Sequence, residues 1–297
     1  MIQLGERIKQ SGALIALSAA SLSLFVSVIM FKIEIDAKAS MLFLLVFSTT
    51  LTVYGLDRWL ELRSAVCKKV RGSLKRVGSL STNTGRWQAG IILFYAISLS
   101  ISFLFANISV SVLVMISPLI VLIYSKDSPL MKGRNMLPVK RVPLLKSIYI
   151  ALGWTFLAPF SMIYYQRWPT IGDIFFMGVL FVKLFIMTIV YDFKDIEIDR
   201  RELTWTLPLK LGGEYTKLSL QFLNLIASAA CFVLIISGPY HFYAIVLVLM
   251  APYQAIMISR CRPDASEWLY FGVCDLEQSI WLLGLLSMLW MVQLGII

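Results

Sequence analysis

IGDIFFMGVLFVKLFIMTIVYDFKDIEIDR, residues 171–200, holds the two features on which the reading of this chain turns. Residues 171–191 form an apolar run long enough to cross a hydrocarbon core of roughly 30 Å, which takes about 20 helical residues. Asp192, Asp195, Glu197 and Asp199 follow where the run ends. An apolar helix that stops in a cluster of carboxylates predicts a membrane span with a polar, chemically equipped tip.

Working outward, comparable runs recur at 12–33, 40–57, 88–106, 108–124, 145–164, 216–237, 239–257 and 278–297. With 171–191 they make about nine spans and leave no room for a sizeable soluble domain. The 59% hydrophobic content, 15% charged content and mean hydropathy of +0.80 are far from the averages of soluble domains. Continuous apolar runs satisfy the backbone in lipid as helices and lack the period-two alternation of barrel strands. The predicted fold is all-α: one polytopic bundle over residues 1–297, built as two repeated four-helix groups plus a final helix.

Lys and Arg give the orientation. They crowd the N-terminal segment (Arg7, Lys9), the 57–87 connection, the 125–146 connection, the 192–217 connection, and Arg260 with Arg262. With nine spans all of these fall on one side. The N-terminus and the carboxylate tips are therefore expected in the cytoplasm and the C-terminus on the opposite side. The net charge of +10 reads as this topology signal and as attraction to anionic membrane lipids, not as a nucleic-acid surface. Cys67, Cys231, Cys261 and Cys274 show no C-x-x-C spacing, so neither a zinc site nor a disulfide framework is indicated. The sole histidine, His241, lies at the turn on the other side, which leaves carboxylates as the acidic face's reactive groups.

Asp192, Asp195 and Asp199 are spaced i, i+3, i+7, which stacks them on one helical face and turns Glu197 elsewhere. Three carboxylates on one stripe repel one another unless cations sit between them. Oxygen-only ligands indicate Mg²⁺, a hard cation that keeps several waters and bridges to phosphate oxygens. A second, thinner pair, Asp57 and Glu61 in VYGLDRWLELR (53–63), ends the span at 40–57. Helix tips at a membrane surface are also charged merely to stay in water, and for Asp57 with Glu61 alone that reading has equal standing.

The stretch DFKDIEIDRRELTWTLPLKLG, residues 192–212, resembles the second aspartate motif and Thr-x-Pro segment (Thr206, Leu207, Pro208) of the UbiA superfamily of intramembrane prenyltransferases. Asp57 with Glu61, and KRVPLLKSIYIALGW at 140–154, echo other parts of that family. The resemblance implies a Mg²⁺-dependent enzyme that moves an isoprenoid chain from a prenyl diphosphate to an acceptor, which the sequence leaves unidentified. It assigns Asp192, Asp195 and Asp199 to one Mg²⁺ and Asp57 with Glu61 to another. Lys126, Lys140, Arg141, Lys146, Lys194 and Arg200 become candidate diphosphate contacts, although each also serves the topology. Tyr54, Tyr124, Tyr149 and Trp154 become candidate cavity walls, with Tyr54 facing the substrate.

The chain also departs from that pattern. Val53 and Tyr54 stand where the first motif usually has Asn and Asp, and Leu203 and Trp205 replace the usual Gly and basic residue before Thr-x-Pro. Three readings stay open: a prenyltransferase with an altered first site, a terpene cyclase on the same scaffold that needs no acceptor, and a non-catalytic isoprenoid-lipid-binding protein. Transport has less support, since Pro118 and Pro159, the mid-span helix breakers, lack polar neighbours. Lys183, about 13 Å deeper than Asp192 by the helical rise, is expected on the opposite face, either in a buried pair or snorkelling. Asp275 and Glu277 read as a solvated helix start, with a role in closing the site as the alternative for Asp275.

Overall fold

A computed structural model of the chain describes residues 12–67, 84–124, 144–201, 205–237, 245–263, 265, 269–270 and 274–294, with the side chains of 61–67, 84–87, 124, 198 and 237 outside the description. Every regular element among the described residues is helical. In chain order they are α1 Ala13–Phe31, α2 Ala37–Cys67, α3 Thr84–Phe105, α4 Ile108–Tyr124, α5 Leu145–Thr155, α6 Leu157–Tyr165, α7 Ile171–Arg201, α8 Leu207–Leu211, α9 Gly213–Ser237, α10 Ile245–Leu249, α11 Ala251–Arg260 and α12 Glu277–Gln293. A short 3₁₀ turn, Cys274–Leu276, leads into α12.

Among the described residues six stretches are long and apolar enough to cross a membrane, by length and composition: Ala13–Phe31, Ala37–Leu60, Gln88–Phe105, Leu145–Tyr165, Ile171–Glu197 and Gly213–Ile236. Ile108–Ile123 and Ile245–Arg260 are shorter apolar helices. The chain is a multi-pass membrane protein. Two of the expected spans are interrupted rather than continuous. Between α5 and α6 the break falls at Phe156, and Pro159 has no N–H to offer the carbonyl of Thr155. Between α10 and α11 it falls at Met250, where Pro252 leaves the carbonyl of Val248 in the same position.

The bundle is organised around α1, which packs against α2, α6, α12 and the 3₁₀ turn. In α1, 72% of the apolar window is buried, against 11% in α3, so α1 is central and α3 faces lipid. The difference is written in side-chain size. Ala16, Ser18, Ala19, Ala20, Ser21 and Ser23 let neighbouring backbones approach closely, whereas α3 presents Ile92, Leu93, Phe103 and Leu104 outward. The α1 hydroxyls do not remain unsatisfied: Ser23 and Ser27 donate to the carbonyls of Ala20 and Ser23, both at 2.7 Å. Further along, α5 packs on α7, α7 on α9, and α9 on α10 and α11.

Candidate active site

The carboxylate stripe forms the end of α7, where 31 helical residues carry the chain past its apolar segment. Asp192 and Asp199 are buried, Asp195 is half-buried, and Glu197 is exposed, in agreement with the spacing. The buried pair faces α5. Lys146 Nζ lies 3.0 Å from Asp192 Oδ1 and 3.2 Å from Asp199 Oδ2, so a single ammonium spans two carboxylates about two helical turns apart. Ser147 donates its hydroxyl hydrogen to the other oxygen of Asp192 at 2.7 Å. Thr188 in turn donates to the Ser147 carbonyl at 3.3 Å.

Local backbone geometry delivers Lys146 to this position. Leu144, the residue before α5, has φ 60°, left-handed for a non-glycine residue. Its N–H donates to the carbonyl of Trp205 at 3.5 Å, which ties the start of α5 to the Thr206–Pro208 segment. Two sequence features that lie far apart in the chain thus meet beside the stripe. Thr206 is buried and its hydroxyl makes no hydrogen bond among the described residues.

The electrostatic balance is lopsided. Between the two buried carboxylates, Asp192 and Asp199, a single ammonium is shared in a largely dehydrated place. Burial pushes the Asp199 carboxyl up to about 6; Lys146 opposes that shift and Asp192 adds to it. A buried ion pair of this kind holds only while both partners are present, because removing either leaves an uncompensated charge.

Other residues singled out in the sequence fall as follows. Asp57 is half-buried on α2, and the backbone of Glu61 lies in the same helix while its side chain is outside the described residues. Tyr54 lies under the Arg58 guanidinium, 5.2 Å from its ring centre, and its hydroxyl accepts from Arg58 Nε at 3.0 Å. The same ring lies against Gly12, the residue before α1, which has φ +71°. Arg200 is exposed and pairs with Glu197 at 3.4 Å, away from the buried stripe. It lines an open cleft of about 590 Å³ with Lys217 and Arg262. Lys194 is half-buried. Lys126, Lys140 and Arg141 lie outside the described residues, as do His241 and the 125–143 connection. Tyr149 donates to the carbonyl of Ile120 at 3.1 Å, which anchors α5 to α4.

Two sequence expectations change. Asp275 is buried, not solvated: the Tyr191 hydroxyl donates to its carboxylate and the Ser18 hydroxyl to its backbone carbonyl. Glu277 is fully buried as well. An acidic residue at a helix start looks the same in sequence whether water or a tyrosine satisfies it. Lys183 does lie opposite Asp192, buried against α9, where it donates to Asn224 Oδ1 and Ser228 Oγ at 2.8 Å each. Ser147 gave no sequence signal, since a hydroxyl at the start of an apolar helix is ordinary.

The donor set suits a hard cation. It offers carboxylate oxygens, no thiolate and no imidazole. Among the described residues no three His, Cys, Asp or Glu side chains stand together as a closed metal cage. A cation here has to complete its coordination from outside the stripe, with water or phosphate oxygens.

Comparison with known proteins gives the same direction. The sequence profile of the UbiA prenyltransferase family matches residues 76–283. No curated protein sequence matches the chain. Among solved structures, a UbiA homologue from Archaeoglobus fulgidus superimposes with a TM-score of 0.63 at 16% identity, covering 95% of this chain and 98% of that one. The same homologue bound to GPP and Mg²⁺ gives 0.63 at 15% identity, with coverage of 95% and 98%. A structure described as digeranylgeranylglyceryl phosphate synthase in membranes gives 0.57 at 16% identity, covering 97% and 98%. At these identities the likeness establishes the fold.

Proposed function

The chain belongs to the UbiA prenyltransferase family, and on that footing we propose that it transfers an isoprenoid chain from a prenyl diphosphate to an acceptor within the membrane, with Mg²⁺ as cofactor. The buried Asp192–Lys146–Asp199 cluster carries this reading. It concentrates negative charge and one ammonium at the end of an apolar helix, where a lipid-soluble chain with a charged head would place that head. The A. fulgidus homologue, solved with GPP and Mg²⁺, supports the choice of donor and metal.

In this reading Asp192, Asp195 and Asp199 would hold one Mg²⁺ and Asp57 with Glu61 another, and bound Mg²⁺ would supply the positive charge that offsets the diphosphate leaving group. Ser147 fixes the rotamer of Asp192, so that one carboxylate oxygen keeps its direction. Lys146 donates to diphosphate oxygens, joined by Lys126, Lys140, Arg141, Lys194 and Arg200 where the chain brings them near. When the allylic C–O bond breaks, its electron pair leaves with the diphosphate. The allylic carbon then bonds to the acceptor, which releases a proton. The helices wall this carbon off from water, which would otherwise capture it. The active site faces the cytoplasm, by the distribution of Lys and Arg.

The test is product formation by the purified full chain in nanodiscs, supplied with Mg²⁺ and labelled geranyl, farnesyl or geranylgeranyl diphosphate. Diphosphate release that requires an added acceptor extract, and is lost in Asp192→Asn and Asp195→Asn, supports transfer. Release without any acceptor replaces transfer with cyclisation, and no release in any mixture removes the enzymatic reading.

A further inference from the structure

The Lys146 ammonium occupies the space that a metal ion bridging Asp192 and Asp199 would need. At 3.0 and 3.2 Å it takes up the lone-pair directions through which those carboxylates would bind a cation, and Ser147 takes a further one on Asp192. A divalent ion and an ammonium a few ångströms apart in a dehydrated site repel strongly. The two therefore exclude one another unless the ammonium finds a new anionic partner. A diphosphate supplies one.

We propose that Lys146 is an exchangeable internal counter-ion, holding Asp192 and Asp199 until a prenyl diphosphate arrives, then passing to the diphosphate so that Mg²⁺ enters the stripe together with the substrate. This rests on the functional reading above and adds an order of events to it. Without Lys146, Asp192 and Asp199 would be left as two buried carboxylates lacking their ammonium, and they would draw divalent ions whether or not substrate were present. With Lys146 in place, ion and diphosphate promote each other's binding, by the same factor in both directions. The long, unbranched lysine side chain suits the exchange: its three rotatable donors can move between acceptors that a rigid guanidinium fork would hold.

Equilibrium dialysis of Mn²⁺ against the detergent-solubilised full chain reads this directly, without turnover. In the absence of pyrophosphate, Lys146→Met is expected to bind Mn²⁺ at least tenfold tighter than the unsubstituted protein, and Lys146→Arg no tighter. With inorganic pyrophosphate equal on both sides of the membrane, Mn²⁺ binding to the unsubstituted protein tightens at least tenfold, while binding to Lys146→Met changes little. Equal or weaker Mn²⁺ binding by Lys146→Met without pyrophosphate overturns the proposal and leaves the metal-dependent function standing. Absence of Mn²⁺ binding by every protein, with or without pyrophosphate, overturns the metal assignment itself and this proposal with it. Should Lys146→Met not survive purification, the neutral but polar Lys146→Gln serves in its place. Mn²⁺ bound there without pyrophosphate supports the exchange, and a continued requirement for pyrophosphate refutes it.

Discussion

Lys183 and Asn224 share a hydrogen bond of 2.8 Å inside the bundle, ammonium to amide oxygen, with no exposure of the lysine. Asn224 also donates its own amide hydrogen to the Ala251 carbonyl at 2.9 Å, so one side chain joins α7, α9 and α11. Asn224→Leu breaks both bonds and leaves a buried ammonium with Ser228 alone. A loss of about 1–3 kcal/mol is expected, visible as a lower melting temperature in detergent. Because Lys183 faces away from Asp192, diphosphate turnover per folded molecule should stay unchanged.

Ser147→Ala removes the hydroxyl that holds Asp192 at 2.7 Å. Hydrogen bonds to charged groups contribute about 1.5–3 kcal/mol. If Ser147 fixes the working rotamer of Asp192, turnover should fall roughly tenfold or more, since each 1.4 kcal/mol is a factor of ten. Ser147→Thr, which keeps the hydroxyl, should recover most of it. Steady-state kinetics on the two variants gives the comparison.

A methyl group at Gly12 would meet Tyr54 Cδ1 at 2.2 Å, and the backbone there has φ +71°. Gly12→Ala therefore combines a steric collision with a left-handed backbone that costs an L-residue about 1–2 kcal/mol by itself. Destabilisation beyond that amount is expected from thermal unfolding. Tyr54→Ala in the same chain should remove the collision and leave only the backbone cost.

With its folded value raised to about 6 by burial, Asp199 binds a proton more readily in the folded protein than in the unfolded chain. Its contribution to metal-free stability is therefore complete below the ordinary carboxylate value near 4 and is lost as pH rises through about 6. Melting temperatures in a chelator should fall between pH 4 and 6 by more in the native sequence than in Asp199→Asn. Equal slopes in the two proteins would assign the pH dependence elsewhere.

How much could be read in advance differs from residue to residue. The apolar runs marked out a multi-pass helical bundle because lipid leaves a helix few alternatives, although six of the nine expected spans are long and apolar enough among the described residues. The i, i+3, i+7 spacing placed three carboxylates on one face because helical pitch is nearly invariant. The choice of Lys146 as their partner was not legible. Lys and Arg recur throughout the connections and helix ends of the sequence, and the chain path through Leu144 and Trp205 brings Lys146 to the stripe. The burial of Asp275 is hidden from the sequence for a related cause: it is decided by the neighbouring Tyr191 and Ser18, which are remote in sequence. The interruptions at Phe156 and Met250 follow from Pro159 and Pro252, whose missing N–H groups are local and could be counted.

The central place of α1 bears on how the protein is made. Its serine-rich flank bonds to Asp275 and approaches Ser279 at 3.1 Å, contacts separated by 257 and 258 residues. During synthesis that flank enters the bilayer with nothing to pack against, and it stays so until the last helix leaves the ribosome. A nascent chain stopped short of α12 thus leaves the Ser18 and Ser21 hydroxyls without the partners they have in the folded bundle.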